Sequence, residues 1–118
     1  FWYTAPSLLH RWIEKTFTHG FSHGKTGDKL KGKQLVLSFT AGAPEEMYSP
    51  EGPQQHSIDD FLTPYRQMAH LCQLEWSGYI FSGGLSYASR HDEKELARMK
   101  EKSIRHAQLL VEKLKGME

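Results

Sequence analysis

An open α/β fold built on a parallel sheet is what this chain predicts, and three observations carry the prediction. Apolar stripes at helical spacing alternate with short β-prone runs, in the order helix, strand, helix, strand, helix. Leu35, Val36, Leu37 and Phe39 form a nearly unbroken apolar run, as in a strand covered on both faces. At Thr40 the chain changes abruptly to small and turn-forming residues, Ala41, Gly42 and Ala43. In open α/β sheets ligands sit outside the carboxyl ends of strands, which is where such a loop falls. The units read as βα pieces of a doubly wound sheet.

Length and composition narrow the class. A chain of 118 residues is expected to be a single domain over 1–118. A net charge of +1 supplies no electrostatic case for nucleic acid or an anionic membrane, so neither is expected as a partner. The lone Cys72 excludes an internal disulfide and fits a reducing compartment, so a cytoplasmic location is expected. No apolar run approaches the ~20 residues of a membrane span, and the start lacks the parts of a signal peptide; membrane insertion is not expected.

The first helix is predicted from Pro6, welcome in a first turn, with Thr4 as its candidate cap. Leu8, Leu9, Trp12, Ile13 and Phe17 form its stripe, and Trp12 reads as a core residue. Phe1, Trp2 and Tyr3 precede the helix and cannot share its face; they read as a strand end or as an aromatic platform beside the helix N-terminus. A glycine-rich turn, His19 to Gly27, follows. Gly24-Lys25-Thr26 is not a nucleotide-binding P-loop, because His19 stands where the first glycine belongs and a helix, not a strand, precedes it. His19 and His23 lie between glycines that deny them a helix, and no further ligand is evident, so no metal is expected.

Beyond the central strand and its loop, Ser57 with Asp59 and Asp60 marks a helix start. Phe61, Leu62, Tyr65, Met68, Ala69 and Cys72 follow at helical spacing, and Pro64 predicts either a kink or a restart at Thr63. Cys72 lies on the apolar face and reads as an inert core thiol. Trp76 to Phe81 reads as a second strand, interrupted by Gly78 and ended by Gly83-Gly84. From Asp92 to Lys115 a long helix is predicted, its seam running through Leu96, Met99, Ser103, Ala107, Leu110 and Leu114.

Several of these residues also form a pattern. Trp2-Tyr3, Pro6, Leu8-Leu9 and Trp12 are joined by Gly20-Phe21, Leu30, Gly32-Lys33, Thr40, Gly42, Glu46, Tyr48, Gly52, Leu62 and Pro64. Together they resemble the C-terminal part of the flavodoxin-like NAD(P)H:quinone oxidoreductases, over nearly the whole chain. That family includes bacterial general-stress and drug-modulator proteins and the ancillary subunits of glutathione-gated potassium efflux systems. His10 departs from the signature where lysine is usual.

The resemblance implies a flavodoxin-like doubly wound sheet whose N-terminal strands and phosphate-cradling loop lie outside this chain. It implies FMN or FAD as cofactor, NAD(P)H as co-substrate and a quinone or other small electrophile as acceptor, in a two-electron ping-pong cycle. Phe1, Trp2 and Tyr3 would bind the flavin ring, as would Thr40, Ala41, Gly42 and Ala43 through backbone donors. Tyr48 would act catalytically beside N1 and O2, where charge develops on the reduced ring. Phe21, His23 and Met47 would contact substrate, Phe21 and His23 from a loop that leans over the partner's flavin in the family's homodimers. A family histidine on the Tyr48 loop has no clear counterpart, since Gln54 stands there with His56 two residues on. The alternatives are an ancillary regulatory subunit docking on a potassium efflux transporter, or an inactive fragment.

Overall fold

Local chemistry accounts for most of the element boundaries in the computed structural model, which describes residues 1–118. The first helix, α1, spans Ser7–Thr16 and starts directly after Pro6, which takes the cap position without a side-chain cap. Thr4 does not cap it. Its hydroxyl lies instead 2.9 Å from His10 Nε2 and 3.0 Å from the Tyr65 hydroxyl. The first strand, β1, spans Gln34–Thr40.

Ser57 caps the short helix α2 (Ile58–Phe61) in a reciprocal box: its hydroxyl accepts from the Asp60 N–H at 3.3 Å, and the Asp60 carboxylate accepts from the Ser57 N–H at 2.8 Å. The chain breaks at Leu62 and restarts as α3 (Thr63–Leu71), with Pro64 in the first turn, where a missing N–H costs no intrahelical bond. A restart, not a kink, is therefore the outcome. The second strand, β2, spans Glu75–Ser82 and runs through Gly78, whose φ of +85° is a conformation that L side chains rarely adopt. The long helix α4 (Glu93–Lys115) is capped by Asp92, whose carboxylate accepts from the Glu95 N–H at 3.0 Å.

The chain divides into two compact units, one formed by Phe1–Leu35 with Ser57–Ser77 and the other by Val36–His56 with Gly78–Glu118. The strands β1 and β2 pair as a two-stranded sheet. In the first unit Gly32 N–H donates to Gln73 O and Glu75 N–H to Lys33 O. In the second, Ala41 N–H donates to Ser82 O and Gly84 N–H to Ala43 O. Residue numbers rise together on both sides in each unit, so the pairing is parallel.

The core of the first unit is the stripe Leu62, Tyr65, Ala69 and Cys72, all buried. Cys72 is a free thiol buried in this core, as its place on the apolar face implied. The α1 stripe behaves differently: Trp12 is 54% exposed and Leu8 more so, with only the edge of Phe17 against the Trp12 ring at 5.7 Å. The core reading of Trp12 is thus corrected: the Leu8, Leu9 and Trp12 part of the stripe is exposed, while Ile13 and Phe17 are half-buried. Likewise β1 is not covered on both faces: Gln34, Ser38 and Thr40 are exposed, and Leu35, Val36, Leu37 and Phe39 are only half-buried.

In the second unit the covered face of α4 shares only Met99 and Leu110 with the expected apolar seam. Glu95, Met99, Lys102, His106, Leu109, Leu110 and Lys113 are the half-buried positions, whereas Leu96, Ala107 and Leu114 are exposed. Spacing of three and four residues still governs, but two polar side chains sit at the centre of the covered stripe. Their partners explain why.

Candidate functional site

The loop that follows β1 is tied down by its own backbone and by one carboxylate. Beyond the ladder bond from Ala41 N–H to Ser82 O (3.0 Å), Leu85 N–H donates to Ala41 O at 3.0 Å and Gly84 N–H to Ala43 O at 2.9 Å. A one-turn 3₁₀ segment, Glu45–Met47, comes next. The Glu45 carboxylate accepts from the Gly83 N–H at 2.8 Å and from Lys102 Nζ at 2.7 Å. Burial pushes the Glu45 carboxyl up, but the hydrogen bonds from Lys102 and the Gly83 N–H outweigh it and hold the group below the ordinary glutamate range. Lys102 and Glu45 are only partly shielded from solvent, so the pair is worth about 0.5–1 kcal/mol.

Gly83 has no room for a side chain, because a Cβ there would lie 2.5 Å from Ala43 O and 2.7 Å from Glu45 N. Gly42 is the opposite case. It is exposed, and a Cβ would meet nothing nearer than Ser86 Cα at 3.7 Å, an ordinary contact. No protein group accepts from the N–H of Gly42 or of Ala43. The loop therefore presents two backbone donors past a position with no side chain. Thr40 is exposed beside it, and Ala41 and Ala43 are half-buried.

Tyr48 is half-buried, its ring edge-on to Phe81 at 5.4 Å, and Phe81 in turn lies 5.2 Å from Phe39. Met47 is half-buried in the 3₁₀ segment, and its carbonyl accepts from the Gln54 N–H at 3.2 Å. Further along the same unit, His106 spans both strands: Nε2 lies 2.9 Å from Ser38 Oγ and Nδ1 lies 2.8 Å from the buried Ser82 Oγ. Glu45, Lys102 and His106 were not among the residues expected from the sequence. Lys102 and His106 sit one turn apart on α4, but only their distant partners mark them as more than a solvated charge and a surface imidazole.

In the first unit, Phe1, Trp2 and Tyr3 form a turn closed by Thr4 N–H to Phe1 O at 3.1 Å, not a strand end. Trp2 and Tyr3 have φ of +51° and +64°, in the left-handed region that bulky residues seldom occupy. Trp2 is 93% exposed, while the Tyr3 ring stacks on Phe61 at 5.1 Å. Phe21 is exposed, and His23 is half-buried with Nδ1 2.9 Å from Ser22 Oγ. His19 and His23 face each other as T-shaped rings 5.7 Å apart, and no group of three or more metal-ligating side chains occurs in the chain. The first unit thus assembles Tyr3 with Phe61, and the second assembles Thr40 to Ala43 with the Glu45–Tyr48 segment.

A parallel α/β arrangement with a small-residue loop at a strand's carboxyl end is the ligand-binding arrangement of open α/β folds, the flavodoxin-like fold among them. The chain belongs to the family described as having a flavodoxin-like fold, whose profile matches residues 1–107. It is 33% identical to an uncharacterized NAD(P)H oxidoreductase, YdeQ of Bacillus subtilis (strain 168), over 106 residues covering 90% of this chain and 52% of the relative. It is 34% identical to the glutathione-regulated potassium-efflux system ancillary protein KefG of Pectobacterium carotovorum (strain PC1), over 63% of this chain and 40% of the relative. The chain spans about half the length of the curated relatives it matches. Among solved structures, general stress protein 14 of Treponema denticola in complex with FMN superposes with a TM-score of 0.80, at 22% identity, over 96% of this chain and 61% of that one. That likeness shows the fold. No helix is long and apolar enough to cross a membrane.

Proposed function

We propose that this chain carries ring-binding elements of a flavin-dependent NAD(P)H:quinone oxidoreductase. One observation carries the reading: the exposed Gly42, flanked by N–H donors of residues 42 and 43 that no protein group takes. Such donors suit the carbonyl and ring-nitrogen edge of a flat heteroaromatic, and the glycine leaves the approach open. FMN is the group favoured, since it is the cofactor named for the Treponema denticola neighbour. When bound, a flavin accepts hydride from NAD(P)H and passes two electrons to an acceptor such as a quinone.

The residues of this chain would bind, orient and shield. Gly42 and Ala43 donate to the ring edge, with Thr40 and Ala41 at the entrance. Tyr48, its ring braced edge-on by Phe81, is the candidate for stabilising charge near the ring. In the first unit, Phe1, Trp2 and Tyr3 offer aromatic surface and backbone donors of their own. Phe21, His23 and Met47 are assigned to the acceptor side. A homodimer and a cytoplasmic location complete the reading.

Protein expressed from the complete reading frame should purify yellow and reduce menadione with NAD(P)H under a ping-pong rate law. Colourless protein that gains no activity on addition of FMN or FAD overturns it. A second reading, an ancillary subunit of a potassium efflux transporter, is favoured by the likeness to KefG. Binding to a transporter's cytoplasmic domain, measured with and without flavin, separates the two.

A further inference from the structure

Tyr65 belongs to the core of the first unit, and its hydroxyl is the hub of a small hydrogen-bond network at the foot of the aromatic turn. The phenolic oxygen accepts from the Ala5 N–H at 2.9 Å, and that direction is fixed because an amide N–H can only donate. The same oxygen lies 3.0 Å from Thr4 Oγ1 and 3.3 Å from His10 Nε2, and Thr4 Oγ1 lies 2.9 Å from His10 Nε2. Two orderings satisfy every proton, and His10 Nε2 accepts in both. Ala5 N–H donates to Tyr65 in each; then either Tyr65 O–H donates to Thr4 and Thr4 O–H to Nε2, or Thr4 O–H donates to Tyr65 and Tyr65 O–H to Nε2. With a proton on Nε2 instead, one hydroxyl proton would have no acceptor in the network.

Thr4 and Ala5, the residues pinned in this way, directly follow Trp2 and Tyr3. Those two occupy left-handed backbone conformations that bulky side chains disfavour, so the turn relaxes unless something holds its end. The Tyr3 ring is held by Phe61, which ends α2 just before the break at Leu62 that precedes Tyr65's helix. The α2–α3 segment therefore grips the turn twice, once by stacking and once by a hydroxyl.

We propose that Tyr65 is a positioning residue for the Trp2–Tyr3 turn, acting through Thr4 and Ala5, with His10 in its Nδ1–H tautomer closing the network. The functional weight of this inference rests on the reading of Trp2 and Tyr3 as flavin contacts; its test does not.

In ¹⁵N-labelled protein, the imidazole nitrogen shifts of His10 should report an unprotonated, hydrogen-bond-accepting Nε2 at neutral pH. Tyr65→Phe keeps the ring in the core, so the thermal unfolding midpoint should fall little. Amide exchange at Ala5 should nevertheless quicken about tenfold, the effect of losing one such bond, and FMN affinity should fall several-fold. His10→Leu should reproduce these changes, and His10→Gln, which keeps an acceptor oxygen, should restore both. A protonated Nε2, or Ala5 exchange unchanged in both Tyr65→Phe and His10→Leu, overturns the proposal. If Ala5 exchange responds while wild-type protein binds no FMN, the positioning role is supported and only the flavin assignment falls.

Discussion

The aromatic turn at Phe1–Tyr3 and the small-residue loop at Thr40–Ala43 are both proposed flavin contacts, yet they are held by opposite means. The turn offers large exposed side chains on a strained backbone and is gripped by side chains, one hydroxyl and one ring stack. The loop offers almost no side chain at all and is held by three backbone hydrogen bonds and a carboxylate on the Gly83 N–H. A backbone-held loop tolerates substitution at its exposed position and fails where another backbone must pass close by. A side-chain-held turn can be released by deleting a single oxygen.

The sharpest way to break this contrast is Gly83→Ala. The added Cβ would meet main-chain atoms of Ala43, Pro44 and Glu45 at 3.0 Å or less, which no side-chain rotation relieves. Destabilisation of about 3 kcal/mol is expected by urea unfolding, together with loss of FMN binding. A fully stable variant that still binds FMN would show that the loop is not pinned there.

Gly42→Val, one residue into the same loop, should separate binding from stability. Stability should change by no more than about 0.5 kcal/mol, since the site is open. FMN affinity should nevertheless drop at least about tenfold, because a branched side chain blocks approach to the free N–H groups. Unchanged affinity in a fluorescence titration removes the loop from the site.

Glu45→Gln should have the smallest effect and a distinctive pH dependence. Glutamine keeps an acceptor for the Gly83 N–H and loses only the charge facing Lys102, so about 0.5–1 kcal/mol is expected at neutral pH. Because the folded carboxyl titrates below its unfolded value of about 4.3, its contribution is complete above that pH. It drains away as pH falls through the lower folded value. Wild type and variant should therefore converge in acid, measured by denaturant unfolding across pH 7 to about pH 3. A gap that stays constant would place the stabilisation outside this ion pair.

Legibility in the sequence followed the range of the interactions. Ser57 was readable as a cap because donor and acceptor lie three residues apart, whereas Asp92, expected to open α4, caps it instead. Leu62, Tyr65, Ala69 and Cys72 were readable as a buried stripe because helical periodicity is local. The seam of α4 was read only in part for the same reason: Met99 and Leu110 are half-buried, but the rest of it is exposed. Hydrophobicity pointed to Leu96, Ala107 and Leu114, whereas the covered face carries Lys102 and His106, whose partners Glu45 and Ser38 lie 57 and 68 residues away. Trp12 was misread because an apolar stripe states that a face seeks cover, not that this unit supplies it.

From the sequence alone came the order of helices and strands, the Ser57 cap, an interruption at Pro64 and the position of a small-residue loop after β1, together with the family pattern running from Trp2 to Pro64. All of these are set by neighbours within a few residues, where backbone geometry and side-chain chemistry act directly. Only the tertiary structure decided that Trp2 and Tyr3 turn left-handed, that Gly83 must be glycine while Gly42 need not be, and that Glu45, Lys102, His106 and Tyr65 do the holding. Those outcomes depend on chain segments distant in sequence arriving within hydrogen-bond reach, and no local pattern encodes which of many polar residues will meet.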